Sequence, residues 1–405
     1  MLKKRKLICL MGLILTSIQC SKMESILERA MSSPDSAIQR VVKQLDKHEV
    51  QLLLTQIDTN EATETNFHSS FFNLDEGHYF YPASTAKLPI AALTLQKLRE
   101  LQSSGILIDA DTPFTIRTQQ GVPVKLNDPS QEEGALTFSH LIKKIFLVSD
   151  NDAYNYLFDF LGRDYINSEL KGVGLNNTQI FHKFLFGADN ETTWEYTFFN
   201  SEGDTLYHQG SITSSFKQSN QNLKGVVKGK GFLSEGTLVN SPMDFSKKNR
   251  ISILDLEGIL KRLMFPQAFP KSKQFRLADT DYEFLRFWMS RSTLESQFPN
   301  YDNGEYWDSY NKFFIHGDQK GMMTDQIRIH NKVGYAYGTL TDVAFIQDKE
   351  FDLAFFLTAT ILVNENEIFN DDIYEFDNVG IPFLASLGRF VLEELRKNKS
   401  AIKEP

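Results

Sequence analysis

The sequence predicts an α+β fold, an antiparallel sheet flanked by helices with a mostly helical lobe inserted between its first and last strands. Strand-like runs occur soon after the N-terminus, a helix-rich stretch fills the middle, and strand-like runs return between 326 and 362 before a closing helix. Strands and helices segregated along a chain in this way favour α+β over a regular βαβ alternation. At 405 residues, 41% hydrophobic and 23% charged, the chain is long enough for one large core or two joined ones. Its formal net charge of -9 argues against nucleic-acid binding, and its 33 Phe residues predict well-filled interiors.

Residues 1–20 read as a secretory signal: Lys3, Lys4, Arg5 and Lys6 precede an apolar run from Leu7 to Ile18 that is short for a bilayer span. Cys20 followed by Ser21 resembles a lipoprotein cleavage site, at which Cys20 would be lipidated. Gln19 and Ser17 depart from that pattern, and an ordinary signal with an incidental cysteine stays open. Cys9 lies in the same segment, so a processed chain would have no disulfide and no thiol nucleophile. Eight histidines without H-x-x-x-H or H-E-x-x-H spacing argue against a zinc enzyme, and no metal or other cofactor is expected.

Residues 21–35 are expected to form a polar tether, and 36–398 the main domain. Its sheet lobe is assigned to 36–83 and 326–398, and its helical lobe to 84–325. Ser36 to Lys47 is amphipathic through Ile38, Val41, Val42 and Leu45. Val50 to Ile57, Phe67 to Phe72 and Tyr79 to Tyr81 read as strands, with a turn at Asp75-Glu76-Gly77. A helix with apolar positions Leu88, Ala91, Leu95 and Leu98 follows, closed by Gly105. The stretch from Ile106 to Glu133 reads as loop. Thr137 is a candidate N-cap for a helix that stops at Ser149-Asp150-Asn151, and Ala153 to Leu161 forms the next helix. Trp194 to Asn200 and Thr205 to Gln209 alternate as a hairpin within an expected insertion around 185–245, of which 194–240 is expected to be an added surface element. Helices return at Ser252 to Met264 and Thr280 to Ser290. Strands follow at Gln326 to Tyr337, Thr339 to Gln347 and Asp352 to Leu362, then a helix from about Pro382 to Lys397.

The chemistry centres on Ser84-Thr85-Ala86-Lys87, at the start of a helix. Residues three apart share a helix face, so the Lys87 amine lies over the Ser84 hydroxyl. A desolvated lysine can take a serine proton near neutral pH, and a helix start offers free N–H groups where an oxyanion would form. The pattern alone is common: Ser214-Ser215-Phe216-Lys217 repeats it in a polar stretch without an apolar face.

Two further triplets decide between the two matches. Ser149-Asp150-Asn151 falls in a break between helices, and Lys332-Val333-Gly334 lies on a predicted strand. In this order the three pieces resemble the S-x-x-K, S-D-N and K-T-G signatures of the serine β-lactamases and penicillin-binding proteins. Ser84 to Pro89 is similar to the nucleophile helix of the class A β-lactamases, and Gly338 to Ala344 to a stretch leading into their next strand.

The resemblance implies a β-lactamase/transpeptidase-like fold and an acyl-serine mechanism. Ser84 would be acylated, Lys87 would take its proton, and Ser149 would protonate the departing nitrogen. Lys332 would polarise Ser149 and attract a substrate carboxylate. Asn151 would hold the substrate amide, Gly334 would line the substrate site, and the N–H groups of Ser84 and Tyr335 would form the oxyanion hole. The expected partners are a small β-lactam or a cell-wall peptide, with the membrane as a further partner if Cys20 is lipidated. The chain is expected to be monomeric and exported to the periplasm or cell envelope.

Two departures stand out. Val333 replaces the hydroxyl residue of K-T-G, and Gln179 to Phe186 holds no acid where class A enzymes carry the deacylating glutamate. Glu191 and Glu195, a little later, read as surface carboxylates. A D,D-peptidase and a non-catalytic binding or sensor lipoprotein therefore stay open beside the lactam hydrolase.

Overall fold

The structure, a computed structural model, describes residues 24–403 apart from 60–64, 125–127, 129, 132–133, 186, 218 and 302–303. The expected signal segment and Cys20 lie outside the described residues. In chain order, α1 (Ile26–Met31) and α2 (Ser36–Val42) precede β1 (Gln51–Thr59) and β2 (Thr65–Phe72). A 3₁₀ turn (Ala83–Ala86) runs straight into α3 (Lys87–Ser103). Then come β3 (Phe114–Arg117), α4 (Phe138–Leu147), α5 (Asn151–Leu161) and α6 (Arg163–Gly172). The hairpin β4 (Glu195–Phe199) and β5 (Thr205–Gln209) leads through short strands to α7 (Ile253–Met264) and α8 (Asp279–Ser290). The chain closes with β6 (Ile327–Ala336), β7 (Thr339–Asp348), β8 (Leu353–Leu362) and α9 (Ile381–Lys403).

The main sheet is antiparallel with strand order β6-β7-β8-β1-β2, so strands from both ends of the chain build one sheet and β6 is its edge. Side chains alternate across it. One face sends Leu52, Leu54, Leu357 and Ile361 against Phe383, Leu387 and Val391 of α9 and against α1 and α2. The other sends Val343, Phe345 and Phe356 into the helical lobe, where Leu93, Leu157, Phe160 and Leu260 are fully buried. Each such side chain contributes about 1.5–3 kcal/mol through its removal from water. The helix starts follow the sequence: Thr137 caps α4 through the His140 N–H, and Ser252 caps α7 through the Asp255 N–H.

Four expectations need correction. Part of the 21–35 tether is packed: Ile26, Leu27, Ala30 and Met31 are buried, and Arg29 pairs with Glu394 of α9 at 2.9 Å. Tyr79 to Tyr81 is not a strand. Its three rings are buried, and Tyr79 N–H bonds the Lys224 carbonyl at 2.8 Å, so packing overrides the aromatic β-signal. The 185–245 segment is not simply a surface addition. Tyr196 and Phe198 of β4 are fully buried against Phe114, Phe138 and Phe160, and Val226 and Phe245 pack on Tyr79 and Tyr81. The 106–133 loop contains β3, which pairs with β4, and α6 is a further helix beyond those expected. That helix starts after Gly162 at φ 76 with no side-chain cap, so its N-terminal signal is missing from the sequence.

Candidate active site

The nucleophile turn sits where the helical lobe meets the edge of the sheet. Gly334 of β6 lies so close that a Cβ there would approach Pro82 O at 2.6 Å, Thr85 N at 2.7 Å and Ser84 N at 2.8 Å. Only glycine fits that approach, so the third residue of the Lys332 triplet has a steric cause. Ser84 lines a cleft of about 530 Å³ together with Tyr81, Asn151, His182, Phe184, Lys248 and Tyr335.

Lys87 is fully buried at the first position of α3, one turn beyond Ser84. Its Nζ donates to the Ser149 carbonyl, to Ser149 Oγ at 3.2 Å and to Asn151 Oδ1 at 2.7 Å. Burial pushes the amine well below its ordinary value; Lys332 adds like-charge repulsion and Asp150 opposes the shift. Two of its three contacts are to oxygens that only accept. A neutral amine would direct its two N–H groups at them and leave its lone pair toward the third, the Ser149 hydroxyl.

Ser149 sits in the break between α4 and α5 at φ 57, a left-handed conformation that costs a non-glycine residue about 1 kcal/mol or more. The surroundings hold it there. Asp150 caps α5 by accepting the Ala153 N–H at 2.8 Å, and Lys144 of α4 pairs with Asp150 at 3.2 Å and Asp128 at 2.9 Å. The Asn311 side-chain amide donates to the Leu147 carbonyl at 2.7 Å. The turn therefore presents both its carbonyl and its hydroxyl to Lys87.

Lys332 reaches Ser149 from the sheet side, its Nζ donating to Ser149 Oγ at 2.9 Å and to the Val333 carbonyl at 2.8 Å. Burial pushes its amine down to about 7, opposed by Asp342. Asp342 is itself buried and raised to about 6, and it accepts from Asn331 at 2.9 Å. Asn331 in turn accepts from buried Lys312 at 2.8 Å. This underlying polar network escapes sequence inspection because nothing in the spacing of Lys312, Asn331 and Asp342 marks them as neighbours.

The structure thus gathers Lys87, Ser149, Asn151 and Lys332 into one hydrogen-bonded cluster beside the cleft that Ser84, Asn151 and Tyr335 line, with Gly334 against the Ser84 backbone. The Lys87 amine bonds Ser149 and Asn151 rather than the Ser84 hydroxyl expected from the spacing. Val333 faces away: it is buried in the core shared with α9 and does not line the cleft. Ser214, the alternative S-x-x-K serine, is bound to Asp164 and accepts from Arg163 Nε at 3.4 Å, a structural clamp. Glu191 is half-exposed and lies 3.7 Å from Arg163, Glu195 is on β4, and neither lines the cleft.

A family model described as the beta-lactamase enzyme family matches residues 33–371. The chain belongs to the beta-lactamase enzyme family. Among solved structures, a beta-lactamase from Xanthomonas campestris pv. campestris is similar over 92% of this chain and 99% of its own, at 13% identity and a TM-score of 0.50, which shows the shared fold. The beta-lactamase of Streptomyces albus G covers 88% of this chain and 99% of its own at 13% identity, with a TM-score of 0.48. That of Desulfarculus baarsii covers 89% and 97% at 14% identity, with a TM-score of 0.47. None of the curated proteins compared matches the chain. Family and fold together make this protein a serine beta-lactamase-like hydrolase.

Proposed function

We propose that the protein is an exported, class A-like serine acyl-hydrolase that opens a β-lactam or related amide through an acyl-Ser84 intermediate. One observation carries the reading: Lys87 and Lys332 converge from two different cores on the single hydroxyl of Ser149, beside the cleft that holds Ser84. In the proposed sequence Ser84 Oγ attacks the carbonyl carbon and its proton passes to neutral Lys87. Ser149 then hands a proton to the leaving nitrogen and is resupplied from Lys87. Lys332 holds the Ser149 oxygen and, with Lys248, makes the cleft attractive to a carboxylate. Asn151 fixes the Lys87 amine and faces the substrate amide, and the N–H groups of Ser84 and Tyr335 receive the oxyanion. Export rests on the basic start and apolar run of residues 1–20, and envelope attachment on Cys20.

A second reading, a D,D-peptidase that uses the same residues on cell-wall peptides, is favoured by the lining of the cleft. Among the described residues its one carboxylate, Asp372, is exposed, so none of them buries a carboxylate within it to activate water. Mass measurement of the intact protein after mixing with a fluorescent penicillin tests both. An adduct on Ser84 that forms and decays supports the lactam hydrolase, and a long-lived one supports the peptidase. If Ser84→Ala still labels or hydrolyses the drug, the nucleophile is misassigned.

A further inference from the structure

Beyond Ser84, on the side away from Ser149 and Lys332, the cleft reaches another lysine. Along β6 the chain runs from Lys332, which meets Ser149, to Gly334, which abuts the Ser84 backbone. Tyr337 follows three residues later, at most about 10 Å further at the rise of a strand. Lys248 lines the cleft there, half-buried, with its Nζ 5.4 Å from the centre of the Tyr337 ring and donating to Tyr337 Oη at 3.5 Å. That single contact is at the outer limit of a hydrogen bond, whereas an ammonium carries three N–H groups. No carboxylate among the described residues pairs with it.

The mount of Lys248 is rigid. Buried Asn220 donates from Nδ2 to the Lys248 carbonyl at 2.9 Å and to the Phe245 carbonyl at 3.3 Å, and the Lys248 N–H bonds the Phe245 carbonyl at 3.0 Å. Tyr337 is fixed as well. With Gly338 it forms the two-residue turn between β6 and β7, at φ 51 and 70, a turn that suits Asn and Gly and that a tyrosine adopts only at a cost. Its ring stands edge-on to Tyr81 at 5.1 Å, and Tyr374 and Phe376 line the same cleft. The loop 181–185 forms one wall, in which Lys183 is buried against Asp159 at 2.9 Å and so already paired. Asp372 is exposed in the segment 370–376 and does not pair with Lys248.

We infer that Lys248 is a specificity residue that selects substrates whose acyl side chain ends in a carboxylate. The inference rests on the acyl-Ser84 reading above and names the substrate class within it. Ser149, which would protonate the leaving nitrogen, stands on the Lys332 side of Ser84, so the departing part of a substrate lies on that side. The acyl part then extends along β6 toward Tyr337. Aromatic rings suit the apolar stem of such a side chain, and the ammonium suits the anion at its tip.

The test uses three penicillins, with an adipyl side chain, with its terminal methyl ester and with an aminocaproyl side chain. Intact mass gives the second-order rate constant for acylation of Ser84 by each, read as ratios within one protein. Wild type should favour the adipyl compound over the ester about 10-fold, the low end of a hydrogen bond to a charged group, and salt should shrink that ratio. Lys248→Arg should retain the preference, Lys248→Gln should bring the ratio to about 1, and Lys248→Glu should favour the aminocaproyl compound, each checked for wild-type thermal unfolding. Equal rates for adipyl compound and ester in the wild type overturn the role of Lys248 and leave the acyl-enzyme reading intact; this comparison needs no substitution. A folded Lys248→Gln with the wild-type ratio overturns it too. Absence of any Ser84 adduct with all three compounds in the wild type overturns the acyl-enzyme reading and this one with it.

Discussion

Replacing Gly334 by alanine adds one methyl group at the tightest junction of the cleft. The new Cβ would stand 2.6 Å from Pro82 O, 2.7 Å from Thr85 N and 2.8 Å from Ser84 N, where ordinary contact begins at 3.4 Å. All three are backbone atoms, so no rotamer change relieves the contact, and β6 must withdraw from the nucleophile turn by about 0.8 Å along the shortest approach. Gly334 adjoins Tyr335, whose N–H is half of the proposed oxyanion hole; the other half, the N–H of Ser84, is one of the crowded atoms. A shift approaching 1 Å between reacting groups costs about 100-fold in rate, and overpacking of this kind costs about 1–3 kcal/mol in stability. Stopped-flow acylation by a chromogenic cephalosporin and urea unfolding of the same variant measure the two effects. An alanine variant with wild-type acylation and stability would refute the claim that this contact sets the geometry of the hole.

Two other substitutions probe the buried charges. Lys332 has its amine pushed from an ordinary 10.5 to about 7, so between those values the unfolded chain binds a proton that the folded chain does not, and stability rises with pH. Lys332→Met should remove up to about 1.4 kcal/mol per pH unit of that slope, leaving the shares due to Lys87, Lys97 and Lys312, and should slow acylation by at least about 100-fold. Parallel urea midpoints for wild type and variant between pH 7 and 9 would contradict this. Asp159→Ala should cost about 3–5 kcal/mol by removing the buried partner of Lys183. Thermal melting measures the loss, and a drop in stability below 1 kcal/mol would show that the pair does not anchor the loop.

Much of this molecule was legible in its sequence where local pattern and tertiary role agree. The 3.6-residue apolar spacing of Leu88, Ala91, Leu95 and Leu98 marks α3 because that face is the one buried in the helical core. The triplets at 84, 149 and 332 can be read because each carries its chemistry within a few residues. The misreadings have a common physical origin. Tyr79 and Tyr81 are aromatic residues whose destination is set by partners distant in sequence, so composition alone could not say that they would lie in a coil. Tyr196 and Phe198 lie on the hairpin that the alternation predicts, but their burial is set by Phe114, Phe138 and Phe160. Ile26 and Leu27 lie in a polar-looking segment, but α9, more than three hundred residues later, gives them a face to cover. His182 shows the same limit at the cleft. The carbonyl of the next residue accepts from one ring nitrogen, and Asn249, distant in sequence, accepts from the His182 backbone N–H.

The meeting of two lysines on one serine hydroxyl also links chemistry to folding. One amine is anchored in the interior of the helical lobe, the other on the outermost strand of the sheet, and neither lobe alone contains both. A partly folded chain with only one lobe formed would have no complete path for the proton and would be silent toward any acylating drug. Covalent labelling of Ser84 would then report, molecule by molecule, the fraction of chains in which the two halves have docked, and a captured acyl group bridging that seam would hold them together against unfolding.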